Sequence, residues 1–243
     1  MSRGRVGVMV PPGNPSAEPE LTRLLGSRAD MHASRFPVRP GLALAERLES
    51  YNEALPAMAC SFGDLPLDAL VMACDSPRYL LDPDEDRDGC LRLTQECGVP
   101  FASATVAVLE AIEHLGLEEI HLISPYQPWL TELAERFWKA AGLRIAGVLP
   151  VRAQGGYAPY AVTPTELVDQ VKQADLPSDA VLLFTGSGMA TLPALGTLGA
   201  GNDRVLLTSN LCSAWWALSR ATGKPVTLNR TPHRLPVHGR AAS

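Results

Sequence analysis

From one end of the chain to the other, short aliphatic runs alternate with longer stretches in which apolar residues recur every three or four positions. The runs predict strands at 5–10, 31–36, 69–73, 120–123, 145–150, 180–184 and 204–207. Between them, 42–58 sets Leu42, Ala45, Leu48 and Leu55 on one side, with Glu46, Arg47 and Glu49 among the others, and Ala104–Leu115 carries Val108, Ile112 and Leu115 on one stripe. Further helices are predicted at 128–141, 164–174 and 211–221, with Gly142 and Gly223 placed as C-terminal stops. Strand and helix in alternation predict an α/β protein whose parallel sheets are covered by helices. The order also echoes itself: DALVMACDSP in the first half has its counterpart in AVLLFTGSGM in the second, and each half offers two loops after strands. Ligands of open parallel sheets bind at the carboxyl ends of strands, so two facing sheets would pool four loops in one cleft.

Composition narrows the partners. With 243 residues, 46% of them hydrophobic and 19% charged, the chain has the make-up of a globular enzyme of one or two domains. Its apolar runs fall far short of the roughly 20 residues that a membrane helix needs. The first twelve residues lack the apolar core and cleavage site of a signal peptide, so a cytoplasmic location is expected. Lys224, Arg230, Arg234 and Arg240 leave 17 basic against 26 acidic residues in the first 223. A weakly acidic body with a short basic tail argues against a nucleic-acid face. That tail either orders on a partner subunit of a homo-oligomer or frays. Cys60, Cys74, Cys90, Cys97 and Cys212 form no CxxC pair, which favours free thiols over disulfides or structural zinc.

Four loops carry candidate chemistry. In Pro11-Pro12-Gly13-Asn14-Pro15, followed by Glu18 and Glu20 in the first turn of a helix, Asn14 can cap that helix, and the two acids would repel a phosphate. In Ala73-Cys74-Asp75-Ser76-Pro77 a thiol ends a buried strand. It reads either as a small core residue or as a nucleophile stabilised by the N–H groups beyond the strand, with Asp75 opposing the thiolate. In Ser124-Pro125-Tyr126-Gln127-Pro128, Tyr126 either donates its hydroxyl to a substrate anion or covers the loop. The glycines of Thr185-Gly186-Ser187-Gly188-Met189 let backbone N–H groups converge on an anion. Ser187 does not sit in the spacing of a hydrolase elbow. The five histidines show no metal-ligand spacing, and the acidic run 82–88 lacks that of a calcium loop and reads as a solvated lead into a helix.

Taken in order, PPGNP, ACDSP, LISPY, Thr163-Pro164-Thr165-Glu166-Leu167, TGSGM and TSNLCSAWWAL resemble the maleate isomerase and arylmalonate decarboxylase branch of the aspartate/glutamate racemase superfamily, from Val6 to about Gly223. The resemblance implies two pseudo-symmetric Rossmann-like α/β domains, residues 1–103 with 210–243 and residues 104–209, an active site in the cleft between them, and cofactor-independent chemistry on a small carboxylic acid. It makes Cys74 the match of the first-half catalytic cysteine; the second-half position falls at Thr185 or Gly186, where there is no thiol. It assigns catalysis to Cys74 and Tyr126, and substrate binding to Asn14, Asp75, Ser76, Thr185, Gly186, Ser187 and Gly188. Asp75 and the missing asparagine near 155–157 depart from the pattern and point from maleate toward a monoacid, an amide or an amine-bearing acid. The resulting expectation is an isomerase with one cysteine nucleophile. A decarboxylase or one-thiol racemase in which Cys74 donates a proton, and a non-catalytic carboxylate-binding protein, are the alternatives.

Overall fold

The structure, a computed structural model, describes residues 3–223 and 226–228; the basic tail expected from Lys224 onward otherwise lies outside the described residues. The first half runs β1 (Gly4–Val10), α1 (Ala17–Leu25), β2 (Ala29–Arg35), α2 (Leu44–Ala59), β3 (Ala69–Met72), α3 (Pro83–Cys97), β4 (Phe101–Ser103) and α4 (Ala104–Leu115). The second half repeats the scheme with β5 (Glu119–Ser124), α5 (Pro128–Ala140), β6 (Arg144–Pro150), α6 (Pro164–Gln173), β7 (Val181–Phe184), α7 (Leu192–Leu198), β8 (Val205–Thr208) and α8 (Ser209–Ala221). Each half makes a four-stranded parallel sheet, ordered β2-β1-β3-β4 and β6-β5-β7-β8. The two orders are the same, so the echo in the sequence is an echo in topology.

All four residues of β3 and of β8 are buried, as are five residues in succession at the end of β1. Strands covered on both faces show up as unbroken aliphatic runs, which is why they were predicted. Two elements were not. β4 has three residues, too few to display a period, and the seven-residue α7 contains Pro193 and Gly196, both poor helix formers. On α2 the apolar stripe is Leu48, Tyr51 and Leu55; Leu42 precedes the helix and is exposed, and Ala45 is exposed too.

Helix ends follow local chemistry. Ser103 accepts from the Val106 N–H at the start of α4, and Thr163 and Glu166 form a reciprocal capping box on α6. The last helix ties the halves together. α8 is capped by Thr208 of the second sheet, buried from Ser209 through Leu218, and packed on α1, α4, β1 and β3 of the first half. No helix among the described residues is long and apolar enough to cross a membrane.

Candidate active site

Since the strands of each sheet are parallel, all their carboxyl ends lie on one side. There the loops after β1, β3, β5 and β7 line a cavity of about 790 Å³ with Asn14, Cys74, Ser76, Tyr126, Gly186, Ser187 and Gly188. Seven of the nine predicted site residues thus meet in one space. The other two do not reach it: Asp75 and Thr185, expected at the ligand, are packed behind the cavity wall, each 1% exposed. Thr185 shares a hydrogen bond with the Tyr79 hydroxyl, and Asp75 Oδ1 accepts from the Ser209 hydroxyl at 2.7 Å. A residue following a strand end can turn either way, and Asp75 turns from the cavity toward α8. Its side chain therefore forms no part of the cavity lining, although its charge still reaches Cys74 and Tyr126 from behind.

Bonds across the cleft fix the floor. Asn14 Oδ1 accepts from the N–H groups of Ser16 and Ala17, both at 2.9 Å, while its Nδ2 donates to Ser187 Oγ at 3.0 Å; Ser187 Oγ in turn donates to the Ala73 carbonyl at 2.6 Å. The capping role and the cleft role of Asn14 are thus compatible, because an amide has both an acceptor and two donor hydrogens. Ser16 Oγ donates to the Gly188 carbonyl at 2.9 Å. Glu20, buried in α1, accepts from Thr191 Oγ1, the Leu192 N–H and Asn210 Nδ2 at 3.0, 2.6 and 2.8 Å. Burial raises its pKa, and those three donors hold it back.

Tyr126 meets the glycine loop from the other side. Gly186 has φ +93°, and a Cβ there would stand 2.7 Å from the Tyr126 hydroxyl. The tyrosine fills the room that a cysteine at 186 would need. Tyr126 is buried and hydrogen-bonds Ser76 and Thr185, with its own pKa raised by burial and by Asp75. Opposite, the ring of Tyr160 covers the glycine loop so closely that Gly188 has no space for a side chain.

Cys74, 6% exposed, opens onto this cavity. Burial and then Asp75 push its thiol well up, while the Ser76 N–H, Arg47 and Arg78 favour the thiolate. Of the other cysteines, Cys90 and Cys212 are buried, Cys60 is exposed and Cys97 lies between; none lines the cavity. Among the described residues no group of three His, Cys, Asp or Glu is placed to hold a metal ion.

The loop that carries Cys74 is held from behind. Arg78 Nε donates to Asp86 Oδ1 at 2.7 Å, with side chains 5% and 0% exposed, and Asp86 also accepts from Ser103 and Thr105. The solvated run expected at 82–88 therefore includes one fully buried carboxylate. Its burial could not be read from composition, because the partner that compensates it lies eight residues upstream.

Asp75 makes the site pH-sensitive. Burial lifts its pKa to about 6, against the pull of Ser209 and the N–H groups of residues 75, 186 and 187. A carboxyl raised above its unfolded value contributes stability that is present below that value and lost as pH rises through the folded one. Between about pH 4 and about pH 7, wild type is expected to lose on the order of 2–3 kcal/mol more than Asp75→Asn, measured by urea unfolding at each pH. Parallel pH profiles for the two proteins would show that Asp75 does not titrate there.

Sequence reasoning missed the α2 wall of the cavity. Arg47, Leu48 and Tyr51 line it, as do Tyr157 and Tyr160 from the segment after β6; Tyr157 stands where an asparagine was expected. Helical spacing held the signal: Arg47 precedes Tyr51 by four residues and so shares the face of the apolar stripe.

Two parallel α/β sheets with a strand-end thiol in a cleft built by both halves define a class of thiol-centred two-lobed proteins. The chain belongs to the arylmalonate decarboxylase family, whose model it matches over residues 6–230. It is 27% identical over 206 residues to the maleate isomerase of Geobacillus stearothermophilus, covering 79% of this chain and 81% of that one. Its fold is similar to that of the maleate isomerase Iso from Pseudomonas putida S16, with a TM-score of 0.82 at 20% identity over 95% of this chain and 97% of the other. It is also similar to a cysteine-to-serine mutant of the Nocardia farcinica maleate cis-trans isomerase with a covalently bound succinylcysteine intermediate, at TM-score 0.77 and 21% identity over 93% and 95%.

Proposed function

We propose that the protein is a cis–trans isomerase of a small unsaturated carboxylic acid, of the maleate isomerase kind, with Cys74 as its nucleophile. The observation that carries this reading is the thiol at the edge of a cavity whose charged lining side chains, among the described residues, are all cationic. An anionic substrate is attracted there, and a thiol is positioned to add to it.

The steps balance without an external reagent. Cys74 Sγ bonds to one alkene carbon and the π pair moves to the other, where the adjoining carboxyl delocalises it as an enediolate. The proton that leaves sulfur ends on that second carbon, so the sum is addition of S–H across the double bond. The carbon–carbon bond, now single, rotates; loss of the proton and departure of sulfur then restore the alkene in the trans form. Asn14 and Tyr126 are assigned to the substrate carboxylate, and Ser76 with the Gly188 end of the glycine loop to the enediolate charge, since the Gly186 N–H is bonded to Ser209 Oγ and those of 186 and 187 act on Asp75. The succinylcysteine of the Nocardia enzyme is the adduct that these steps give with maleate.

Decarboxylation of a malonate, with Cys74 returning the proton, would use the same thiol and is favoured by the family's description and by the apolar wall of Leu44, Leu48 and Tyr51. Proton NMR on the protein with maleate is expected to show the trans acid growing at constant total acid. Release of CO₂ from alkyl- or arylmalonates in its place would give the assignment to the lyase reading. Turnover of neither would leave a carboxylate-binding protein.

A further inference from the structure

The cavity has two charged side chains in its lining, Arg39 and Arg47, and their settings differ. Arg39 sits in the exposed loop before α2, where water screens its charge. Arg47 is half-buried on α2, flanked by Leu48 and, one turn on, by Tyr51. Nearby arginines are engaged: Arg35 pairs with Glu18 at 2.6 Å and bonds the Pro12 carbonyl, and Arg78 is locked to Asp86 and Asn52. The hydrogen bonds of Arg47 are those of its backbone, whose N–H donates to the Ala43 carbonyl and whose carbonyl accepts from Ser50; among the described residues its guanidinium has neither a hydrogen bond nor an ion pair. No carboxylate lines the cavity to meet it.

A guanidinium has five N–H donors and no acceptor, in a planar fork that matches a carboxylate. Held half-buried without a partner, it loses hydration and gains nothing from the protein. Its neighbours place it at the reacting end of the cavity, since its charge is felt by Cys74, Tyr51 and Tyr160 alike.

We propose that Arg47 is a specificity-determining residue: it binds a carboxylate of the substrate other than the one held by Asn14 and the glycine loop, and so selects diacids over monoacids. The inference rests on the reading of this cavity as the acid site, and it corrects the drift toward monoacids that Asp75 suggested. Asn14, the 186–188 loop, Arg47 and Cys74 line the same cavity, so a diacid has a partner for each of its two carboxylates in the space onto which the thiol opens. A monoacid would leave Arg47 unpaired and its own orientation undefined.

Calorimetric titration with two unreactive saturated acids of equal length, succinate and butyrate, tests this. Wild type is expected to bind succinate more tightly, and Arg47→Met to lose about 10- to 100-fold in succinate affinity with butyrate affinity unchanged. Arg47→Lys, which keeps the charge and loses the fork, should fall between. Since the side chain has no partner in the fold, Arg47→Met should keep the wild-type Tm, and the ratio of the two affinities is a quantity that a purely structural role would not move. If Arg47→Met keeps the full preference for succinate, the inference is overturned while the acid-site reading stands. If wild type binds neither acid, both fall.

Discussion

Cys74→Ala is expected to lower turnover by at least about 10³-fold, because among the described residues it removes the one thiol that lines the cavity, the atom that bonds to carbon in the proposed chemistry. The fold should survive. Loss of one buried sulfur leaves a small void and costs roughly 1–2 kcal/mol, so the circular dichroism spectrum and the cooperativity of unfolding should stay as in wild type. Cys60→Ala is the matched control: Cys60 is exposed and outside the cavity, and its removal should leave turnover intact. Turnover retained in Cys74→Ala would refute the nucleophile assignment, and turnover lost in both variants would show that the assay reports general thiol damage.

Asp86→Ala is expected to have the largest effect on stability. It strands Arg78, 5% exposed, without its anion, and leaves the hydroxyls of Ser103 and Thr105 without their acceptor. Breaking a buried pair from one side costs about 3–5 kcal/mol, and for a chain of this size each kcal/mol is roughly 2–4 °C in Tm. The double variant Arg78→Met/Asp86→Leu should recover much of that loss, because it removes both charges together. Thermal unfolding of the three proteins decides the matter: a loss below about 1 kcal/mol in Asp86→Ala would mean that the pair is solvated. Since Arg78 lies in the turn just after Cys74-Asp75-Ser76, the single variant should also blunt turnover by loosening that loop.

What the sequence displayed, and what it hid, follows from how each interaction is encoded. Strands covered on both faces print themselves as aliphatic runs, and parallel order follows from alternation with helices, so the meeting of the loops at Asn14, Cys74, Tyr126 and 186–188 was legible before any coordinate. The direction of a single side chain beyond a strand end is not encoded locally. Asp75 and Thr185 were placed at the ligand for that reason, although neither lines the cavity: Asp75 accepts from Ser209, and Thr185 bonds Tyr79 and Tyr126. Arg47 was hidden differently. It was counted with the polar side of a helix, yet its four-residue offset from Tyr51 puts it on the buried stripe.

The fastenings beneath the cleft bear on traffic. Asn14 to Ser187, Ser16 to Gly188 and Glu20 to Thr191, Leu192 and Asn210 stitch α1 and the loop before it to the second half and to α8, which packs on α1. Lobes sewn together at the base do not swing apart as a hinge does. Beside these fastenings the ring of Tyr160 lies over Gly188, and the loop before α2 is exposed. Substitutions in these two short segments are expected to alter the rates at which a ligand binds and leaves before they touch the chemistry, and stopped-flow binding would read the change.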